Sequence, residues 1–265
     1  MAPRLYKVLR LDGLKKVPPM DDPVNGSLNV SFLRRIGRHV RIALFQDHPA
    51  QECASVLNFT PNVEDLSLWL IKGKLKRLYP ILKALPLRRL SCDLQAVFGR
   101  SANRTHNLPF DQPPFRNLTH LESINSVEVT SALLNLPLIA NLTHLSVNGP
   151  LGVGTMTTLL KSCPKLQVLV WLFHDIGAGP ETIRDIRLVL VNLHRDLLDG
   201  WEIAARGGVS LWRIAEMVIA ARQRKEIEEK DWTLEYSEDY YDPRRVTTSK
   251  DAAADVANED ILDSS

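Results

Sequence analysis

Leucine and other apolar residues recur along the middle of the chain in the spacing L-x-x-L-x-L, and the pattern returns at a nearly constant interval. The clearest copy is the pentapeptide Asn-Leu-Thr-His-Leu at 117–121, which is repeated letter for letter at 141–145. The same skeleton begins at Val63, Leu87 and Leu166. A period of roughly 20 to 29 residues with this spacing is typical of leucine-rich repeats, which stack into a solenoid.

The fourth position of each copy sets the register of five predicted strands. It is a leucine at 66, 90, 121, 145 and 169, so that the intervals are 24, 31, 24 and 24 residues. Side chains alternate between the two faces of a strand. We therefore expect these leucines to point into a core and the residues between them to line the open, concave face of a parallel sheet.

Helical spacing of apolar residues between the strands predicts one helix in each repeat. The predicted helices cover 74–85, 130–136 and 155–163, and the last residue of each is followed by a proline, which cannot continue a helix. Upstream, strands are predicted at 6–11 and 40–44, with helices at 31–36 and 50–57. The second of these strands would place Ile42 in register with Leu66, 24 residues later.

The one long interval contains the segment 99–114, which is rich in Pro, Asn, Gly and Arg and predicts an inserted loop. Insertions in repeat proteins lie on one face, where they either contact a ligand or are tolerated surface variation. Both interpretations stay open.

The pattern changes after Leu169. The apolar run 188–191 predicts a strand that is covered on both faces, and 209–224 predicts an amphipathic helix. We interpret this pair as the cap that a solenoid needs on its last repeat. The predicted fold is α/β: an irregular leucine-rich-repeat solenoid at 1–174 with a parallel sheet on one side and helices on the other, a strand–helix cap at 175–230, and an acidic, mostly unfolded tail at 231–265.

Charge divides the chain into a basic body and an acidic tail. Residues 226–265 contain 13 Asp and Glu against 4 Lys and Arg, whereas 1–225 carries a net charge of +11. The overall net charge of +2 argues against capture of nucleic acid by charge alone. Three cysteines without a C-x-x-C pair favour neither a disulfide framework nor a zinc ribbon, and Cys92 occupies an apolar repeat position.

The location expected from sequence is the cytoplasm or the nucleus. The N-terminus lacks the apolar run of a secretory signal, and no stretch is long and apolar enough to span a membrane. We therefore expect no membrane partner.

Several segments together resemble the leucine-rich part of fungal F-box-type proteins. They are 5–13 (LYKVLRLDG), 39–41 (HVR), 61–66 (PNVEDL), 115–121 (FRNLTHL), 201–207 (WEIAARG) and 211–216 (LWRIAE). The resemblance extends over roughly residues 4–225 and its motifs are mainly structural. In such proteins an F-box helps to recruit a substrate to a cullin-type ubiquitin ligase, and the repeats select that substrate.

The resemblance implies a non-catalytic protein-interaction module, with substrate recognition for a ubiquitin ligase as its wider role. The pattern at Leu5 begins so close to Met1 that no F-box fits before it in this chain. A ligase adaptor is therefore expected as a partner only if an F-box lies upstream. The alternative is a structural or vestigial F-box-like paralogue without a ligase role.

Candidate partner-binding residues follow from the predicted register. Asp65, Arg89, His120 and His144 should form a ladder across neighbouring strands about 4.8 Å apart. The full predicted set on the concave face is Asp65, Trp69, Arg89, Asp93, His120, Glu122, His144 and Asn148. Mixed charge beside an aromatic side chain suits a polypeptide partner; the alternative is that these are ordinary solvated strand positions.

Other chemistry finds weaker support in the residues. His120 and His144 beside Glu122 would make an incomplete metal site, so we expect no metal or cofactor. The turn 149–154 has the G-x-x-x-x-G frame of a phosphate-binding loop, but Thr155 stands where lysine is required, which leaves nucleotide binding as a remote alternative. The motifs of the common hydrolases and kinases are missing from the sequence, and we expect the protein not to be an enzyme.

Overall fold

The fold is described here from a computed structural model in which ten strands form one open sheet. The structure describes residues 6–13, 15–17, 28–99, 108, 110–124, 133–173, 183–193, 197–227 and 233–236. Strand order across the sheet is β10-β9-β8-β7-β6-β5-β4-β3-β1-β2. Neighbouring strands are parallel except for β1 and β2, which are antiparallel.

From β3 to β10 the strands lie side by side in chain order, whereas β1 lies between β3 and β2. The strands are β1 Val8–Asp12, β2 Lys15–Val17, β3 Ile42–Gln46, β4 Asp65–Trp69, β5 Arg89–Cys92, β6 His120–Ser123, β7 His144–Asn148, β8 Val168–Phe173, β9 Leu188–Leu193 and β10 Thr233–Tyr236. The described α-helices are α1 Val30–Ile36, α2 Ala50–Leu57, α3 Tyr79–Leu82, α4 Leu94–Phe98, α5 Val153–Ser162, α6 Leu197–Ala205 and α7 Leu211–Gln223.

The predicted register of the five central strands is confirmed. The fourth-position leucines pair directly across the sheet, in the order Leu66, Leu90, Leu121, Leu145 and Leu169. All five are at most 2% exposed and belong to one continuous core beneath the sheet. Parallel strands linked by crossovers bury one face in this way because the connecting helices must lie over it.

The register predicted for the preceding strand was wrong by one residue. Ala43, rather than Ile42, pairs with Leu66, so that the interval is 23 residues. A shift of one residue turns every side chain to the other face. Ile42 and Leu44 consequently lie on the concave face, whereas Ala43 and Phe45 are in the core.

Each repeat is joined to the next by a carbonyl group that accepts two hydrogen bonds. The oxygen of Glu64, for example, accepts from the backbone N–H groups of Arg88 and Arg89 at 2.8 and 2.9 Å. The same arrangement occurs at the carbonyls of Lys7, Arg41, Arg88, Thr119 and Thr143. A carbonyl oxygen has two lone pairs, and both are used here just before a strand begins.

Asparagine side chains add a second link at the same level. Asn62 donates to the carbonyl of Arg38 at 2.8 Å, and Asn141 donates to that of Arg116 at 3.1 Å. These asparagines precede the strands. The positions where regular leucine-rich repeats place asparagine after the strand hold other residues, such as Ile71.

The predicted helices 31–36, 50–57 and 155–163 correspond closely to α1, α2 and α5. The prediction of one helix over 74–85 was wrong, because a 3-10 turn at Leu75–Arg77 is followed by the four-residue α3. Pro80 has no N–H group to donate within a helix and is tolerated only in a first turn, which accounts for a new helix beginning at Tyr79. Residues 130–132 of the predicted helix 130–136 lie outside the described residues, and its described end leads into a 3-10 turn at Leu136–Leu138.

The described part of the predicted loop 99–114 is in contact with the core. Leu108 and Phe110 are buried, and Phe110 packs edge-on against Phe115 with ring centroids 5.1 Å apart. Phe115 in turn packs against Phe98 at the end of α4, at 4.8 Å. These residues therefore pack into the core. They do not decide whether the rest of the loop contacts a ligand or is tolerated surface variation.

The C-terminal part of the chain departs from the predicted cap. The strand predicted at 188–191 is confirmed as part of β9, and the side chains of these four residues are buried on both faces. However, β10 continues the sheet beyond β9, although its residues belong to the tail that we predicted to be mostly unfolded. The predicted helix 209–224 is α7, but it lies over the concave face and does not close the end of the stack.

Candidate functional site

Helices α6 and α7 cover much of the face on which the ladder lies. On one side, Ile214, Ala215 and Val218 of α7 pack against a buried apolar patch of β8 and β9. On the other side, Leu197 and Trp201 of α6 pack against a small cluster made of Leu44, Trp69 and Ile124. The chain thus covers the apolar parts of its own concave face.

Polar contacts hold both helices to the sheet. Arg10 of β1 makes an ion pair with Glu202 of α6 and a second one with Asp12 at 2.6 Å. At the other end, the buried Arg222 of α7 donates to the carbonyl of Leu188 at 2.5 Å. Because the Arg10 guanidinium is buried, removal of Glu202 would leave its charge less well compensated.

A cavity of about 270 Å³ remains between the sheet and the two helices. Its floor includes the strand residues Asp65, Ser67, Trp69, Ser91, His120 and Glu122. Its roof includes the helical residues Leu197, Trp201, Ala204, Leu211 and Trp212. This volume approaches that of small-ligand pockets, which are roughly 300 to 1,000 Å³.

A chain of hydrogen bonds crosses the floor and ends at a carboxylate. The indole Nε1 of Trp69 donates to Ser91 Oγ at 2.8 Å, and that hydroxyl donates to Glu122 Oε2 at 2.6 Å. Burial raises the pKa of Glu122, and the nearby Asp65 raises it further, whereas the Ser91 bond opposes the shift. The hydrogen bonds thus hold Glu122 in place, and burial remains the largest influence on its pKa.

Asp65 and Arg89 form a looser pair beside it. The guanidinium Nη1 of Arg89 lies 3.7 Å from Asp65 Oδ2, and the Arg89 side chain is about half exposed. Burial raises the pKa of Asp65, while Arg89 lowers it by a smaller amount. The described lining thus contains two carboxyl groups and one guanidinium, all contributed by the sheet.

The two repeated histidines stack upon one another next to the cavity. The His120 and His144 rings are nearly parallel, with centroids 4.0 Å apart, and Trp212 meets both rings edge-on at 5.3 and 5.7 Å. Burial, followed by the neighbouring His144, lowers the pKa of His120 to about 3. Burial also lowers the pKa of His144, although Glu216, 3.2 Å away, opposes that shift.

The predicted ladder is brought together as expected, but only part of the predicted set reaches the cavity. Asp65, Trp69, Arg89, His120 and Glu122 line it.

The other predicted residues lie outside the cavity lining. Asp93 accepts from the N–H of Ala96 at 2.8 Å and caps α4. His144 is 5% exposed beneath Trp212, and Asn148 ends β7. Partner binding by the full set remains a prediction, and a large polypeptide surface could reach the covered residues only if α6 and α7 moved.

Sequence reasoning missed the roof. Trp201, Ala204 and Trp212 complete the cavity, although α6 was not predicted and α7 was assigned to a cap. A signal was available: Val168, Val170 and Leu172 form an apolar strip on the concave face, and such a strip requires a cover.

The alternative sites are separate from this cavity. Within the described residues, no group of three His, Cys, Asp or Glu side chains is placed to hold a metal ion. None of the residues of the turn 149–154 lines the cavity. Added side chains at Gly152 and Gly154 would enter open space, so neither glycine is required by a close contact. Nucleotide binding there remains a prediction.

Comparisons with known proteins leave the chain without an assigned family. No family model matches it, and neither the curated proteins nor the solved structures contain a match. Among the described residues, no helix is long and apolar enough to cross a membrane.

Proposed function

We propose that the chain is a leucine-rich-repeat solenoid that acts as a non-catalytic recognition module for a polypeptide partner. The paired leucines and the repeated two-bond carbonyls support a stacked-repeat architecture. A solenoid of this kind offers a rigid surface on which recognition residues from several repeats are held side by side. Rigid placement reduces the entropy lost on binding.

The observation that carries the proposal is the roofed cavity on the concave face. Charged and aromatic side chains from three neighbouring strands converge there, and two tryptophans of the helices close it. Its size suits a short segment, such as one or two residues of a partner, better than a broad docked surface. Aromatic anchors in a desolvated pocket commonly dominate the affinity of protein interfaces.

A non-catalytic role agrees with the low basicity of His120. The pKa of His120 is about 3, which makes its imidazole a weak base near neutral pH. Substrate recognition for a cullin-type ubiquitin ligase is the wider role implied by the F-box resemblance. It would require an F-box supplied elsewhere, and a structural paralogue without ligase role is the alternative.

The test is a comparison of proteins labelled in cells by the chain fused to a proximity-labelling enzyme. Ala204→Trp places a large side chain in the cavity roof, and Asp199→Trp adds the same side chain at an exposed position of α6. Both variants are first checked for an unchanged unfolding temperature. We expect Ala204→Trp to lose a defined subset of labelled proteins that Asp199→Trp retains.

Identical labelling by the wild type and by folded Ala204→Trp would contradict the proposal. Ala204→Ser leaves the cavity open. Retention by this variant of the labelled proteins that Ala204→Trp loses would support the proposal. A protein lost with both tryptophan variants reports a disturbed helix surface and is not counted as a cavity partner.

A further inference from the structure

We propose that the cavity recognises a basic group, the side chain of a lysine or arginine of the partner, which is held between Glu122 and the surrounding tryptophans. This inference rests on the cavity being the recognition site proposed above. It adds the chemistry of the recognised group, which neither the repeat pattern nor the fold specifies.

Charge is the first argument. Glu122 and Asp65 face the cavity from the sheet, and Arg89 is the cation among the described lining residues. His120 is neutral near pH 7 because its pKa is about 3. The roof residues are apolar, small or aromatic and carry no charge. With both carboxyl groups ionised, the lining holds one negative charge in excess, which a monovalent cation would balance.

The position of the charges is the second argument. Arg89 lies on the Asp65 side, with a nearest separation of 3.7 Å, and its side chain is partly exposed. Glu122 accepts a hydrogen bond from Ser91 at 2.6 Å and otherwise depends on burial and Asp65 for its environment, both of which disfavour its charged form. A bound ammonium or guanidinium would supply the missing counter-charge and donate hydrogen bonds to the carboxylate.

The aromatic walls are the third argument. Trp69, Trp201 and Trp212 all line the cavity. The indole N–H of Trp69 donates to Ser91, and the Trp212 ring is roughly perpendicular to both histidine rings. Cations are attracted to the faces of tryptophan rings, and the aliphatic stem of lysine or arginine packs on apolar surface.

The experiment uses four small probes of similar length on the full chain: butylammonium, butylguanidinium, neutral 1-pentanol and anionic pentanoate. Binding is followed up to millimolar concentrations by the indole N–H resonances in proton–nitrogen spectra, each assigned by replacing one tryptophan. The three cavity tryptophans should shift, whereas Trp171, which donates to the carbonyl of Gly149 outside the cavity, should not.

We expect one or both cations to bind about tenfold or more tightly than pentanol, and pentanoate to bind no better than pentanol. Stronger binding of butylammonium indicates lysine, and stronger binding of butylguanidinium indicates arginine. Glu122→Gln should remove the preference for the cations while the protein keeps its unfolding temperature. Equal binding of cation and alcohol, preferential binding of pentanoate, or no shift with any probe would overturn the proposal.

A pH series provides an independent readout. A cation must compete with the proton on Glu122, whose pKa is raised, so its affinity should increase as the pH rises through that raised value. Arg89 lies on the adjoining strand β5, Asp65 on the next strand β4, and His120 on the strand of Glu122 itself, while Glu216 of α7 contacts His144. Their contributions are removed by subtracting the pH profile of Glu122→Gln, and a zero difference would contradict the role of this carboxylate.

The two proposals fail in different ways. If cellular labelling depends on an open cavity but is unaffected by Glu122→Gln, the recognition module stands and the basic group is wrong. If the cations bind in the cavity but Ala204→Trp leaves labelling unchanged, the cation site stands and the proposed function is wrong.

Discussion

Replacement of a single repeat leucine should measure how firmly the stacked core supports the ladder. Leu145 is fully buried in the main core at the centre of the sheet. Leu145→Ala removes the branched end of the side chain, which at roughly 0.8 kcal/mol per buried carbon corresponds to about 2.4 kcal/mol. Space that its neighbours cannot fill increases the loss to about 3 kcal/mol.

The assay is urea unfolding followed by circular dichroism, with the midpoint and the slope compared between variants. Leu138→Ala is the matched control, because Leu138 is 56% exposed and its truncation should change stability by no more than about 0.5 kcal/mol. Leu90 and Leu121 occupy the same repeat position and should behave like Leu145. A loss below about 1 kcal/mol at Leu145, or one equal to the control, would refute the argument.

Three other outcomes follow from local geometry. Gly37→Ala should destabilise the fold by roughly 1 to 3 kcal/mol, because the new Cβ would lie 1.9 Å from the carbonyl oxygen of Phe59. Gly154→Ala adds a Cβ in open space within α5 and should stabilise the fold by up to about 1 kcal/mol. Thermal unfolding of both variants tests whether the two effects have opposite signs. Because the pKa of His120 is about 3 in the folded protein, its imidazole stays neutral there, whereas the unfolded imidazole takes up a proton below about pH 6.5. The free energy of unfolding should therefore fall as the pH drops from about 6.5 towards 3. Urea midpoints of His120→Asn should fall less steeply over the same range. Burial raises the pKa of Cys53 to about 12, so this thiol should resist a disulfide reagent until urea unfolds the protein; rapid labelling of the native chain would contradict that burial.

The central strands were predictable because their information is local and repeated. A copy such as 141–145 carries the same inward leucines as 117–121, and the alternation of a strand then places His120 and His144 on the other face. The prediction failed at β3, where the inward residue that pairs with Leu66 is Ala43. An alanine there gives no leucine signal, and the interval of 23 residues lies too close to 24 for spacing alone to distinguish them.

The covered site was less predictable because it depends on contacts that are distant in the chain. Glu216 meets His144 across 72 positions, and Arg10 meets Glu202 across 192. Periodicity identifies α7 as amphipathic but does not identify the surface against which its apolar side packs. The apolar strip on β8 was the available clue, since a strand face exposed to solvent would carry polar residues.

The most direct test of the account is an NMR measurement of the contacts between α7 and the ladder. Every proposal for the cavity requires Trp212 to lie over the stacked histidines, with ring centroids 5.3 and 5.7 Å from those of His120 and His144. Nuclear Overhauser contacts between the Trp212 indole protons and both imidazole rings are therefore predicted. Their absence in the folded protein, with Trp212 resonances typical of a solvent-exposed indole, would contradict the covered concave face and the cavity beneath it.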